Sequence, residues 1–167
     1  LPIARALAER GVRVTSVVGA RSASLLLLVE QLRKAGDVVV CTDDGSEGRT
    51  GVVSEALAEL VVVGDVDAVY AVGPVPMMQA CTEVTRPLQI PTTVSLNSIM
   101  VDGTGMCGGC RVSVGGRTQY ACVDGPEFDG HQVDYALLAD RLTTYRDFER
   151  AAAGNPVGAC AGAEGSP

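Results

Sequence analysis

Residues 101–110 of the chain read VDGTGMCGGC, and a third cysteine, Cys122, follows with the overall spacing C-x2-C-x11-C. Soft thiolate ligands bind zinc, copper(I) or iron–sulfur clusters in preference to hard ions. Nearly half of the stretch is glycine, which adopts positive φ angles at low cost and lets a loop wrap closely around a bound group. The stretch therefore predicts a metal-binding loop rather than a regular helix or strand.

The abundance of glycine favours a [2Fe–2S] cluster among these possibilities, because backbone N–H groups must point at its sulfurs. Plant-type ferredoxins space their ligands as C-x4-C-x2-C, followed by a distant fourth cysteine. Counting back from Cys107 by that spacing reaches Asp102. The pattern D-x4-C-x2-C-x11-C is thus a ferredoxin-type loop in which a carboxylate, Asp102, replaces the first thiolate and Cys107, Cys110 and Cys122 follow.

Two other interpretations of the cysteines remain open at this point. With the single histidine of the chain, His131, the three cysteines would form a three-Cys, one-His set of a kind that structural zinc sites use. Alternatively, the cysteines are buried side chains that bind nothing. The residues alone favour iron–sulfur over zinc, and zinc over no metal.

Composition excludes several classes of function. The net charge of −7 and the pI near 4.6 argue against a nucleic-acid-binding protein, which would carry a basic surface. No run reaches the roughly 18 apolar residues that a membrane span needs. Hydrophobic residues make up 47% of the 167 residues, enough for a sizeable core. Six cysteines without a signal peptide fit a reducing cytoplasm better than a disulfide-bonded secreted protein.

The first residues of the chain have the pattern of the later part of a helix that ends at Gly11, and the sequence has no initiator Met. We therefore expect an N-terminal part to be missing. Strands and helices then alternate, which predicts βαβ units and a parallel sheet. The predicted strands are 12–18, 38–42, 67–72 and 92–96, and the predicted helices are 22–35, 52–60 and 75–85. The expected fold class is α/β, with residues 1–96 as a nucleotide-binding domain.

The alternation of strands and helices ends after Asn97. Residues 111–114 and 117–122 predict a hairpin over Gly115-Gly116. A final helix is expected over 133–148, with one face formed by Tyr135, Leu138, Leu142 and Tyr145. Residues 97–150 would thus form the cluster-binding region with its C-terminal helix. Residues 151–167, which include Cys160, have the composition of a disordered tail.

Three loops follow the predicted parallel strands and should lie along one edge of the sheet, where open α/β sheets bind ligands. Arg21 is positioned to contact a ribose phosphate, although a solvated surface arginine explains it equally well. A glycine after a buried strand lets a flat ring approach the backbone, and Met77 could cover that ring, although packing in the core is the commoner role of such a residue. The candidate nucleotide contacts are Arg21, Ser22, Asp44, Gly45, Gly73, Pro74 and Met77.

These motifs together resemble a known family, the [2Fe–2S]-bearing flavoprotein electron-transfer subunits related to ferredoxin–NADP reductase. The family includes the small subunit of NADH-dependent reduced ferredoxin:NADP oxidoreductase, sulfide dehydrogenase-like proteins and the electron-transfer subunit of dihydroorotate dehydrogenase. The resemblance covers about residues 1–150. The matching runs are 19–22, 43–48, 73–78, 95–112 and 121–131.

Membership would imply that Asp102, Cys107, Cys110 and Cys122 ligate a [2Fe–2S] cluster, with Asp102 where the dihydroorotate-type relatives carry cysteine. It also implies NAD(P)H as a cofactor, and FAD held mostly by an N-terminal barrel and a glycine-rich loop that would precede Leu1. The implied partner is a larger oxidoreductase subunit with flavin and [4Fe–4S] clusters, and ferredoxin is a further candidate. His131 then becomes a polar residue near the hairpin.

Two hypotheses of different classes result. The first is a cytoplasmic oxidoreductase subunit that passes electrons between NAD(P)H, FAD and a [2Fe–2S] cluster to a partner. Its cofactors carry the chemistry, so no catalytic acid or base is expected. The second is a zinc-stapled, Rossmann-like binding module without redox activity.

Overall fold

The computed structural model describes residues 1–64 and 66–154 of the chain. Short 3-10 turns at Ala23–Leu25, Arg86–Leu88 and Gly130–Gln132 connect the regular elements. In chain order the helices and strands are α1 Pro2–Ala8, β1 Thr15–Ala20, α2 Val29–Arg33, β2 Asp37–Thr42, β3 Arg49–Thr50, α3 Val53–Val63, β4 Val69–Val72, α4 Val75–Thr85, β5 Thr92–Ser95, β6 Arg111–Val114, β7 Arg117–Tyr120, β8 Glu127–Asp129, α5 Tyr135–Leu142 and α6 Arg146–Gly154.

The predicted α/β class with a parallel sheet is confirmed, but the sheet is divided into two parts. Strands β1, β2 and β3 form one parallel sheet. In the second sheet β4 and β5 are parallel, and β8 pairs with β5 in the antiparallel direction. β6 and β7 form a separate hairpin. Within the described residues, β1 and β4 therefore each have one edge with no paired strand.

Local sequence explains most of these elements. β2 is a continuous apolar run whose second half is buried, as expected of a strand covered on both faces. α3 ends at Gly64, whose φ of +90° gives the left-handed C-terminal cap that glycine favours. α4 follows Pro74, whose fixed φ suits the start of a helix.

The predicted helix over 22–35 was wrong, because the chain forms only a 3-10 turn and the short α2 there. Ser46 accepts a hydrogen bond from the backbone N–H of Ala23, at 2.7 Å, which fastens the start of this segment to the loop after β2. Leu28 then adopts a left-handed conformation, with φ of 61°, immediately before α2. Contacts with a distant loop therefore outweigh local helix propensity. The first strand also begins later than predicted, at Thr15.

The single final helix predicted over 133–148 is divided into α5 and α6. Thr143 and Thr144 interrupt it, because their hydroxyls donate at 2.7 Å to the carbonyls of Asp140 and Arg141 and take up acceptors that a continuing helix would use. Of the predicted face, Tyr135 and Leu138 are buried, whereas Tyr145 is 52% exposed. Residues 151–154 continue α6, and the rest of the predicted tail, with Cys160, lies outside the described residues.

One hydrophobic core joins the second sheet, the hairpin and α5. Its buried members include Met78 on α4, Val94 on β5, Val112 on β6 and Leu138 on α5. A buried hydrogen bond of 2.8 Å between the hydroxyls of Thr82 and Tyr135 adds a polar link between α4 and α5. The hairpin next to the cysteine-rich loop is therefore packed against the second sheet and α5.

Candidate functional site

The cysteine-rich loop is shaped by glycines and by a turn at Asp102. Gly105 and Gly108 have φ angles of +82° and +70°, a conformation that L side chains rarely adopt. The Asp102 carboxylate accepts the backbone N–H of Thr104 at 2.9 Å, which closes a short side-chain-to-backbone turn. These features fold residues 101–110 back on themselves.

The hairpin brings Cys110 and Cys122 together. Gly115 and Gly116 both have positive φ, as the two-residue turn requires, and this sets β6 against β7 so that Arg111 faces Tyr120. The N–H of Ala121 extends the pairing by donating to the Cys110 carbonyl at 3.1 Å. The sulfurs of Cys110 and Cys122 are consequently 3.1 Å apart, and both thiols are free. Hydrogen bonding with Cys110, and then desolvation, raises the pKa of the Cys122 thiol.

Asp102 and Cys107 form a second pair. The pKa of Asp102 is lowered, first by the backbone N–H of Thr104 and also by hydrogen bonds from the thiol and backbone of Cys107. The Gly109 N–H in turn donates to the Cys107 sulfur at 3.4 Å. The loop also approaches the turn that carries Cys122, because a Cβ added to Gly105 would lie 3.1 Å from the side chain of Val123, and the backbone of Gly105 acts to lower the pKa of Cys122. All four predicted ligands therefore belong to one connected loop and turn.

This donor set fits a dinuclear iron–sulfur cluster. Each iron of a [2Fe–2S] cluster takes two protein ligands, and the chain offers two adjacent pairs of three thiols and one carboxylate. The backbone N–H of Gly109 already points at the sulfur of Cys107. Among the described residues, no three His, Cys, Asp or Glu side chains converge on a single point, as one zinc ion with four ligands would require.

His131 has a different role from the one that a zinc site would give it. Its Nε2 lies 3.0 Å from the Thr85 hydroxyl, which also accepts a hydrogen bond of 2.6 Å from Thr92. Its carbonyl accepts from Arg86 at 2.9 Å. His131 therefore fastens the 3-10 turn after β8 to the end of α4, and the zinc alternative, which used His131, is not favoured.

Four of the predicted nucleotide contacts come together at the carboxyl ends of β1 and β2. The Arg21 carbonyl accepts the Asp44 N–H at 3.2 Å, so the two loops touch through their backbones. Ser46 donates to the Asp44 carboxylate and lowers its pKa, while its own hydroxyl accepts from Ala23. Arg21 is exposed, with Ser22 beside it, and Gly45 completes the second loop.

The other three predicted contacts form a separate group at the end of β4. A Cβ added to Gly73 would lie 2.3 Å from the Met77 methyl group, so Met77 covers this glycine directly. Met77 also contacts Cys81 along α4, at 3.6 Å between the two sulfurs, and packs against the core. Pro74 precedes the first turn of α4. Since β4 pairs with neither β1 nor β2, hydrogen bonding between strands does not join the two groups.

Exposed apolar side chains lie in and beside the cysteine-rich loop, and we call them the apolar rim. The rim consists of Met100, Val101, Met106 and Val123, with Val101 75% exposed and Met106 88% exposed. Large apolar side chains at such exposure, gathered beside a candidate cofactor site, are typical of a surface that another protein covers.

Two residues of these sites were missed from the sequence. Ser46 links the loops after β1 and β2, which carry four of the predicted nucleotide contacts, and a serine two residues after Asp44 is a recognisable turn signal that could have identified it. Arg141 on α5 donates to the Gly109 carbonyl at 3.2 Å, across 32 residues of sequence. No local pattern predicts this second contact, because it depends on how α5 packs.

Comparison with known proteins agrees with this geometry. Residues 97–134 match the family described as the iron–sulfur cluster binding domain of dihydroorotate dehydrogenase B. The chain is 50% identical over 149 residues to a dihydroorotate dehydrogenase B electron transfer subunit homolog of Thermotoga maritima, covering 89% of this chain and 53% of that protein. It is 31% identical over 159 residues to a probable subunit of the same kind from Methanocaldococcus jannaschii, covering 93% and 59% of the two chains.

A solved structure is also similar to this chain. A chain from the structure of the NADH-dependent reduced ferredoxin-NADP oxidoreductase superposes with a TM-score of 0.81 at 45% identity. The match covers 92% of this chain and 55% of the solved one. The chain thus spans about half the length of the relatives it matches. In the described residues, no helix has the length and apolar character needed to cross a membrane.

Proposed function

Because the chain is a homologue of dihydroorotate dehydrogenase B electron-transfer subunits and carries their iron–sulfur-binding domain, we propose that it acts in electron transfer. The proposed subunit passes electrons between NAD(P)H, FAD and a [2Fe–2S] cluster and delivers them to a larger partner subunit. When bound, these cofactors supply hydride transfer and one-electron transfer, and the protein supplies their binding and orientation. The observation that carries the proposal is the arrangement of Asp102, Cys107, Cys110 and Cys122 in two adjacent pairs.

We propose specific roles for these residues. Cys107, Cys110 and Cys122 would hold the cluster as thiolates, and Asp102 would hold it through its carboxylate. The N–H group of Gly109 would stabilise negative charge on the Cys107 sulfur. NAD(P)H would bind along the sheet edges at Arg21, Ser22, Asp44, Gly45, Gly73, Pro74 and Met77. FAD contacts would fall mainly on parts of the protein outside this chain.

Metal analysis and electron paramagnetic resonance of the full-length protein, purified without oxygen, test the proposal. A [2Fe–2S] cluster gives its own paramagnetic resonance signal after one-electron reduction, whereas zinc gives none and FAD does not produce the cluster signal. Iron and acid-labile sulfide should be present in equal amounts, at about two of each per chain. Protein that contains zinc in place of iron and gives no cluster signal would refute the electron-transfer function and restore the structural-zinc alternative.

Arg21→Ala is expected to weaken NADPH binding more than NADH binding. The backbone of Arg21 is held at the end of β1 by its contact with Asp44, and its exposed guanidinium suits the 2′-phosphate that only NADPH carries. A charge-assisted hydrogen bond is worth roughly 1–3 kcal/mol, so NADPH affinity should fall by about tenfold to a hundredfold. Calorimetric titration of the full-length protein with both nucleotides measures the change.

Arg10→Ala is the matched control for this substitution. Arg10 is also exposed, but it precedes β1 and so lies at the opposite end of the strand. It should leave both affinities unchanged. Equal losses of NADH and NADPH affinity in Arg21→Ala would contradict contact with a 2′-phosphate.

Met106→Glu is expected to weaken assembly with the larger oxidoreductase subunit while the cluster is retained. We propose that the apolar rim is covered by this partner, a flavin- and [4Fe–4S]-containing subunit, because electrons must leave the cluster through a short contact. A carboxylate at the 88%-exposed Met106 position disturbs nothing inside the chain but would be buried in such an interface. Co-purification with the partner measures assembly, and Leu27→Glu, at another exposed apolar residue, is the control.

The absence of disulfides between the five described cysteines fits a cytoplasmic location, which we propose for the assembled protein.

Ferredoxin remains a further candidate partner at the same apolar rim.

A further inference from the structure

Arg141, which is outside the predicted ligand set, reaches from the distant helix α5 to the backbone of the cysteine-rich loop. Its Nη2 donates to the Gly109 carbonyl at 3.2 Å, and the contact is partly buried. Gly109 lies between Cys107 and Cys110, one member of each ligand pair. The guanidinium is therefore hydrogen-bonded to the short segment that connects the two halves of the site.

The helix that carries Arg141 is held firmly. The Asp134 carboxylate caps α5 by accepting the Leu137 N–H at 2.9 Å, and the Asp134 N–H donates to the Ser113 carbonyl of β6, also at 2.9 Å. Leu138, one turn before Arg141, is buried in the core. Arg141 follows Leu138 by three residues, so both project from the same face of the helix. The guanidinium is thus anchored at both ends, by the packed helix that carries it and by its hydrogen bond to the Gly109 carbonyl.

A fixed positive charge at this position has a predictable electrostatic effect. Three thiolates and one carboxylate place four negative charges around the site, and reduction of a cluster adds one more. A nearby positive charge favours the more negative, reduced state over the oxidised one. Hydrogen bonds and net charge around a cluster are known determinants of its reduction potential.

We propose that Arg141 is a positioning residue that holds the Cys107–Cys110 segment and raises the reduction potential of the cluster. The proposal rests on the proposed [2Fe–2S] site. It assigns to α5 a function beyond packing, because the helix delivers a guanidinium to the loop that binds the cofactor.

Redox titration of three Arg141 variants and one control variant of the full-length protein tests the proposal, with the midpoint potential read from the electron paramagnetic resonance signal of the reduced cluster. Arg141→Gln keeps a hydrogen-bond donor and removes the charge, and Arg141→Met removes both. Both should have a lower midpoint potential, by about a tenfold change in the one-electron equilibrium constant, or ~59 mV. Arg141→Lys keeps the charge and should stay near the wild-type potential. Arg150→Gln, at an arginine on α6 whose side chain is 70% exposed, is the control for net charge and should not shift it.

The outcomes separate the proposal from its alternatives. A wild-type potential in both Arg141→Gln and Arg141→Met overturns it. So does an equal decrease in Arg141→Lys and Arg141→Gln, which would exclude charge as the cause. Lower cluster content with an unchanged potential in the remaining clusters would show a purely structural role and also overturns it. Wild-type protein without any cluster would instead refute the proposed function.

Discussion

Alanine in place of Cys107, Cys110 or Cys122 is expected to leave the protein almost without iron, because each substitution removes one of the two ligands of an iron. Alanine is preferred to serine, since a serine oxygen could still bind iron. Cys107→Ala is the most informative of the three, because Cys107 is exposed and its loss should hardly change the stability of the cluster-free fold. Cys110 is 2% exposed, so Cys110→Ala also removes buried contacts.

Cys41→Ala and Cys81→Ala are the matched controls. Both cysteines are buried and free, and they lie on β2 and α4 rather than in the cysteine-rich loop or the turn after its hairpin. Each substitution should cost about 1 kcal/mol of stability, for the loss of one small apolar group, and should leave the iron content unchanged. Iron and sulfide assays on the five variants measure the effect. Loss of iron in Cys41→Ala or Cys81→Ala, with normal iron in Cys107→Ala, would contradict the ligand assignment.

The cysteine pairing was largely predictable from the sequence, and the reason is geometric. A two-residue Gly115-Gly116 turn places 114 opposite 117 and, four steps further, 110 opposite 121. The hairpin alone puts Ala121 opposite Cys110, and the turn after β7, in which the N–H groups of Val123 and Asp124 donate to the Tyr120 carbonyl, brings Cys122 beside Cys110. The spacing of Asp102 and Cys107 is likewise local. Because such short-range patterns decide this site, its four candidate ligands are brought together as expected.

Features that depend on distant contacts were not predictable in the same way. The segment after Ser22 has the composition of a helix, but the bond from Ala23 to Ser46 and the left-handed Leu28 break it. The final helix is interrupted by two threonine hydroxyls that bond back to its own carbonyls. The contact of Arg141 with Gly109 requires the packing of α5 on β6. Each case is a tertiary or side-chain interaction that outweighs propensity.

The sheet edges that carry the candidate nucleotide contacts were partly predictable from the sequence. The order of strands and loops predicts that Arg21 and Asp44 lie close together, and their backbones are hydrogen-bonded. The position of Gly73 relative to them depends on how the two sheets are arranged, which periodicity does not encode. The same limit applies to Met77, whose contact with Gly73 and partial burial fit both core packing and the covering of a ring.

Asp102 poses a sharper question than the cysteines, because it has a structural role that needs no metal. Its carboxylate accepts the Thr104 N–H at 2.9 Å, and a turn of this kind is common in loops without any cofactor. Asp102→Asn separates the two roles. Asparagine keeps an oxygen that can accept the Thr104 N–H, so the turn should persist, but it removes the negative charge that a ligand to iron provides.

We expect Asp102→Asn to lose most of the cluster, and Asp102→Cys to keep it. Cysteine gives up the turn but restores the thiolate that the C-x4-C-x2-C spacing calls for, and soft ligands bind iron–sulfur clusters well. Asp102→Ala, which lacks both the turn and the ligand, should resemble Asp102→Asn in iron content. Iron per chain and the rate of colour loss in the presence of a chelator measure the effect. If Asp102→Asn retained the wild-type cluster while Asp102→Cys lost it, the turn would be the function of Asp102 and the fourth ligand would have to be sought elsewhere.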